Sequence, residues 1–434
     1  MRNGVLSAWA RAAVLSCPLL ATVAMGAVSA GGCMTKAEQS AQDGLTAFQS
    51  CDLRSAANSF SDAHSLDPSR PDFALAYALS TIAVLPEDPA VTAVLERLGF
   101  DGPIDTSIFW GSGGILSQLQ SGTSTCQSVT DYFDARFPYA PVRQNGPTAV
   151  SVLRDPSLDG DAFVTAAAAL DPRLQSLVDA LEQAAAQTSG FDITGGCGVG
   201  TLHIQTPELY ALAAFLEAVR ATVAVAKGYD WAVPASLALD TSGKEQQWVD
   251  ALNAHVFHLM NAASVTAASP IAQHAALLVQ RAAESASTIT SRPANSLFDW
   301  TQAPAGVVSD VRQLAVSAQQ MIAASGLNPL PLVTPTLSVD GQSFFDTPAD
   351  MTGVQPPIWV ATPWTSGTQS GYSVETQSSG AETLLAPRFA PDPFGSAAPA
   401  FTFSLSDRWQ NITSDQWLAA FDPDRRWDHL YMCQ

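Results

Sequence analysis

Residues 35–68 read TKAEQSAQDGLTAFQSCDLRSAANSFSDAHSLDP, and the reading of this stretch decides the fold. Leu53, Ala56, Phe60 and Ala63 stand at intervals of 3, 4 and 3, one face of a helix. Asp52 precedes them as an N-cap, its carboxylate suited to the first free backbone N–H groups. Pro68 cannot continue a helix and marks its end. Upstream, a second helical run passes through Gly44, nine residues before Leu53, and the turn between the two falls at Cys51.

The set Gly44, Leu53, Ala56, Phe60, Ala63 and Pro68 resembles one tetratricopeptide repeat. The aromatic residue usual near the start of such a repeat is missing. The resemblance implies two antiparallel helices, with Gly44 and Ala56 small where they cross, Phe60 filling the gap and Pro68 closing the second helix. Residues 71–100 continue as a degenerate copy, with Tyr77, Ala78 and Ala83 on one helix and Pro89 to Leu98 on another. Together these cover about 65 residues at a 34-residue period. A lone repeat cannot bury both faces, so the helices that follow must stack on it.

Those helices are expected at 161–187, from Thr206 as a capped start with Pro207 in first position, at 245–268, at 270–289 and at 305–325. Between the first two, Phe191 to Thr194 and Thr201 to Gln205 alternate like two strands about a glycine turn. The fold class read from this pattern is mainly α: a tetratricopeptide-like segment stacked on a larger helical body, with a small β-hairpin and a loop-rich C-terminal tail. The divisions are a signal peptide at 1–32, repeats at 33–100, an irregular connector at 101–160, a helical domain at 161–325 and a Pro/Ser/Gly-rich tail at 326–434. The tail holds apolar runs at Ile358–Ala361 and Phe401–Leu405. It ends in an aromatic segment with Trp409, Trp417, Phe421, Trp427 and Tyr431, read as a flap on the helical body.

Only 14% of residues are charged and 47% are hydrophobic, so most of the 434 residues can fold. The formal charge is −20. Such a surface repels phosphate backbones, which speaks against nucleic acid as a partner.

The first residues carry Arg2 and Arg11 and no acid, followed by the uncharged run AAVLSCPLLATVAMGAVSA from Ala12 to Ala30. This is the pattern of a secretory signal. Two cuts are open: one after Val28-Ser29-Ala30, which fits the small-x-small rule, and one before Cys33, where Ala30-Gly31-Gly32-Cys33 resembles a bacterial lipobox, with Ala30 where Leu is usual. The resemblance implies lipidation of Cys33, a palmitate-bearing N-terminus and a place on the outer membrane, at its periplasmic face or the cell surface. Met34, in place of an Asp, points the same way. Cysteine parity supports the anchor. With Cys17 removed and Cys33 lipidated, Cys51, Cys126, Cys197 and Cys433 remain, an even set for an oxidising compartment. Four cysteines allow three pairings. The working expectation is Cys51–Cys126 with Cys197–Cys433.

Other motifs carry little chemistry. Gly195-Gly196-Cys197-Gly198-Val199-Gly200 is followed by a strand-like run rather than a helix N-terminus, so it is read as a hairpin turn and not a phosphate loop. His255 and His258 lie three apart on an expected helix without a third clustered ligand. Asp155, Asp159 and Asp161, and Asp422, Asp424 and Asp428, lack the spacing of a calcium loop. Gly371-Tyr372-Ser373-Val374-Glu375 comes nearest to a nucleophile turn, with Glu375 in place of the second glycine. No catalytic, cofactor or metal residue is therefore assigned.

The resulting expectation is a non-catalytic envelope lipoprotein, a scaffold whose helical repeats take a protein or peptide partner. The alternatives are a periplasmic binder of a small apolar ligand and, behind it, a hydrolase with an unrecognised site.

Overall fold

A computed structural model describes residues 21–23, 34–97, 160–187, 190–195, 202–230, 258–296, 298–334, 336–350, 358–366, 369–377, 388–390, 404–405, 409, 411–413, 416 and 419–420. The described residues are mostly helical, with a few short antiparallel strands.

Helices α1 (Lys36–Gln49) and α2 (Leu53–Leu66) form the expected pair. Thr35 and Glu38 make a capping box at the start of α1, satisfying two of the N–H groups that a helix end leaves free. Asp52 caps α2 by accepting from the Ser55 N–H at 3.0 Å. Cys51 completes the turn in a left-handed conformation, φ 64°. A Cβ on Gly44 would stand 2.8 Å from the Phe60 ring, inside ordinary van der Waals contact. Absence of a side chain at Gly44 is thus what lets the helices touch, and Phe60, itself buried, fills the crossing.

Helix α3 (Pro71–Val84) joins this pair to the rest. Nine of its residues are buried: Phe73, Ala74, Leu75, Ala76, Ala78, Leu79, Ser80, Ile82 and Ala83. A helix that is apolar almost all round has neighbours on several sides. Here they are α2 and the long helix α5 (Gly160–Gln187). A single 3-10 turn, Leu85–Glu87, leads into α4 (Pro89–Arg97), which also packs on α5.

Leu174, Leu177, Val178, Leu181, Ala184 and Ala185 line the buried face of α5 at helical spacing. Three polar contacts run along the same seam. Tyr77 and Ser176 hydroxyls lie 3.0 Å apart, Arg173 pairs with the buried Asp88, and the Gln183 amide donates to the Pro68 carbonyl. Through α3, the α1–α2 pair is joined to α5.

Strands β2 (Gly190–Gly195) and β3 (Leu202–Gln205) pair antiparallel in the register Phe191 with Ile204, as their alternation predicts. Strand β1 (Ala21–Val23) lies against the outer edge of β2.

Helix α6 (Thr206–Ala226) follows directly. Its N-cap is Gln205 rather than the expected Thr206, which is the first helical residue. Glu208 reaches back to the Gln205 N–H at 2.6 Å, so the capping carboxyl group comes from inside the helix.

Helix α7 (Ala262–Ser287) packs along α6. The sequence reading expected a break at Pro270, and the structure shows one helix running through it. Val265 and Ala268 before the proline, and Ala275 and Leu278 after it, are all buried. Tertiary packing on both sides outweighs the lost backbone hydrogen bond. This helix starts at Ala262 with Asn261 as the N-cap, and residues 245–257 of the expected helix lie outside the described residues. Ahead of it the Met260 and Asn261 N–H groups donate to the Gly228 carbonyl. Gly228 sits so close to α7 that a Cβ there would stand 2.2 Å from Val265.

Helix α8 (Val307–Ala323) covers the far side of α7. Beyond it lie β4 (Asn328–Leu330), β5 (Val333–Thr334), β6 (Leu337–Val339), α9 (Gly341–Asp346), the hairpin β7 (Ile358–Ser366) with β8 (Gln369–Gln377), β9 (Phe389–Ala390) and β10 (Ser404–Leu405). The C-terminal segment touches the body at two described points. The Trp409 indole donates to Asp310 on α8 at 3.0 Å, and the Asp299 N–H donates to the carbonyl of the fully buried Ala420.

Candidate functional site

Three regions hold side chains in arrangements beyond ordinary packing. The first is the exposed face of the α1–α2 pair. Gln39, Gln42, Asp43, Thr46 and Gln49 face outward from α1, with Arg54, Asn58, Ser61 and Asp62 on α2. Leu66, at the end of α2, is 53% exposed. Among the described residues α1 packs on α2 and touches β1. A Glu87–Arg54 ion pair at 2.6 Å ties α2 to the 3-10 turn beyond α3.

The second is a chain of charges where α5, α6 and α7 meet. Arg220 and Glu217, one helical turn apart on α6, are both buried and paired at 2.6 Å. Arg220 also donates to Asp171 on α5 at 2.8 Å. Burial of its guanidinium opposes the charge, but the Asp171 and Glu217 carboxylates hold its pKa above the ordinary value. Glu217 continues to His274 on α7 at 2.9 Å. The other His274 ring nitrogen stands 3.0 Å from Glu182 on α5, and Glu182 accepts from Arg281 on α7 at 2.6 Å. The Arg281 guanidinium lies over the Tyr210 ring of α6, 5.9 Å from its centroid.

Helices α6 and α7 are long and apolar enough to cross a membrane by length and composition. In the fold they pack on one another and carry this ionic chain between them.

A third group lies at the N-terminus of α6. The Glu208 carboxyl is turned inward, and burial raises its pKa to about 8 against the pull of the Gln205 and Phe298 N–H groups and the Trp300 indole. The Gln205 amide donates to the Phe298 carbonyl at 3.0 Å, fixing the corner where the hairpin becomes a helix.

Of the residues singled out from sequence, Gly44, Leu53, Ala56, Phe60 and Ala63 come together as the α1–α2 crossing, and Pro68 follows α2. Cys51 is disulfide-bonded. Cys33, Cys126, Cys197 and Cys433 lie outside the described residues, as does His255. His258 is not helical. It precedes α7 and meets Asp350 at 3.1 Å. Among the described residues no His, Cys, Asp and Glu group is arranged to hold a metal. Gly371 to Glu375 lies within β8, with Ser373 paired to Thr362. That is a straight ladder position and not the strained turn a nucleophile elbow requires. Asp155, Asp159, Asp422, Asp424 and Asp428 are outside the described residues.

Sequence reasoning missed Glu182, Glu208, Glu217, Arg220, His274 and Arg281. One signal was present. Glu217 and Arg220 interrupt the apolar run LAAFLEAVRATVAV at a spacing of three, which places opposite charges on one helical face. No family model, curated protein or solved structure matches the chain.

Proposed function

We propose that the chain is a non-catalytic lipoprotein of the cell envelope, anchored through Cys33 in the outer membrane, whose tetratricopeptide-like helices take a protein or peptide partner. The observation that carries this reading is the α1–α2 pair: a close crossing set by Gly44 and Phe60, both helices capped, its outer face polar and exposed, and its base fixed through α3 to α5. Stacked helix pairs commonly use such a rigid face for recognition. The Cys51 disulfide supports an oxidising compartment and so the export half of the reading. Helix α1 begins three residues after Cys33, so the anchored protein would present these helices next to the membrane. The apolar-ligand and hydrolase readings gain no specific observation among the described residues.

A photo-crosslinking amino acid at Thr46 on α1, compared with one at Ser309 on α8, tests the binding face in cells. The proposal expects one discrete adduct from Thr46, abolished by Asp43→Arg, and none from Ser309. Equal diffuse labelling from both positions would remove the support for a repeat-borne binding face.

A further inference from the structure

Strand β1 comes from inside the expected leader, yet it holds a place in the fold. It pairs antiparallel with the outer edge of β2, Ala21 opposite Gly195, Thr22 opposite Thr194 and Val23 opposite Ile193. It also touches α1 and α3. On the export reading proposed above, a cut before Gly31 or before Cys33 removes residues 21–23 either way. We propose, resting on that reading, that processing leaves an open strand seat at Ile193–Gly195, and that this seat takes an extended segment of a partner polypeptide, added to the sheet antiparallel to β2.

The sheet has one closed edge and one that β1 alone closes. At the far edge the His203 N–H of β3 donates to the Asn295 carbonyl at 2.9 Å, and His203 bridges to Ser296. The β2–β3 ladder ends where Ile193 meets Leu202. Thr194 and Gly195 therefore have β1 as their only strand partner among the described residues. An unpaired edge is a template for another chain, and proteins that guard one place Lys, Pro or a bulge on it. Ile193-Thr194-Gly195 carries no charge and no proline, and its register with β1 is continuous.

Strand addition draws affinity from backbone hydrogen bonds and selectivity from alternate side chains. The segment already seated there gives the chemistry of the occupant: extended, uncharged, with small or β-branched residues, as in Ala-Thr-Val. A chain of formal charge −20 repels an acidic one. In the precursor the leader fills the seat itself, so the site opens only on processing. The contact of β1 with α1 sets the occupant beside the helices proposed to carry the partner.

The test is fluorescence anisotropy of a labelled peptide of residues 20–25, Leu-Ala-Thr-Val-Ala-Met, with the processed protein purified from its envelope. Saturable binding is expected. N-methylation of the peptide at Thr22 and Val23 should weaken it about tenfold, since one of two adjacent N–H groups must face β2. The unprocessed chain, made without export, should also bind at least about tenfold more weakly, because its own leader competes at high effective concentration. Three results would each overturn the seat while leaving export standing: equal affinity of the methylated peptide, equal affinity of the two chains, or no binding to a chain whose intact mass shows residues 1–30 removed. An intact mass that retains residues 1–32 overturns the export reading, and the vacated seat with it.

Discussion

The repeat-like pair α1–α2 and the three-helix core α5–α6–α7 bury their contacts by opposite means. In the first, Gly44 against Phe60 and a set of alanines bring two backbones close, with polar groups kept to caps and the outer face. In the second, Glu217 and Arg220 are taken out of water and made tolerable only by each other and by Asp171 and His274. Shape holds one region, charge pairing the other. Shape can fail gradually, since neighbours shift to fill or relieve space. A buried charge that loses its partner cannot relax in that way.

The largest effect should therefore come from the core. Arg220→Met leaves Glu217 buried against His274 alone and is expected to cost about 3–5 kcal/mol in chemical denaturation. The double change Arg220→Met with Glu217→Leu should recover most of that, because it removes the charge as well as its partner. Equal losses in the single and double variants would break the contrast between the two regions.

Gly228→Ala comes next. Its Cβ would stand 2.2 Å from Val265 on α7, and the overpacking should cost about 1–3 kcal/mol. At the repeat crossing, Gly44→Ala sets a similar clash against the roughly 1 kcal/mol that alanine gains in a helix. A net loss of about 1 kcal/mol is expected, relieved when Phe60→Leu makes room. Asp52→Ala should also cost about 1 kcal/mol, the worth of one N-cap. Thermal midpoints of the four variants order these effects.

The corner at Glu208 sharpens the comparison by pH. Its carboxyl is protonated in the fold up to about pH 8 and ionised in the unfolded chain above its ordinary value near 4.5. The folded state thus binds the extra proton between those limits, and its stability falls as pH rises through that window. Glu208→Gln keeps an acceptor for the Gln205 N–H without the charge. It should flatten that part of the stability profile between pH 5 and pH 8.

The two regions also differ in how far sequence reveals them. The α1–α2 crossing is local: Gly44, Asp52 and Phe60 lie within seventeen consecutive residues, 44 to 60, and their spacing states their roles. The ionic core is not local. Arg220 finds Asp171 from 49 residues away, and Arg281 finds Glu182 from 99. Spacing says nothing of such partners until the helices are placed. Pro270 and His258 misled for the same reason. Packing against α6 carries α7 through the proline, and the His258 carbonyl accepts from the Asp230 N–H ahead of α7 instead of joining a helix. The Gln205 cap escaped because the group that reaches back to its N–H, Glu208, lies inside the helix, three residues on.

The proposed anchor at Cys33 would set the shape-built pair next to the membrane, three residues from the lipid. Intact mass of the protein purified from its own envelope, with palmitate labelling of the wild type and Cys33→Ala, tests this most directly. The account predicts a mature chain beginning at Cys33 and carrying lipid, with both the label and the membrane fraction lost in Cys33→Ala. A mature chain beginning at Gly31 without lipid, or one retaining residues 1–32, would contradict it.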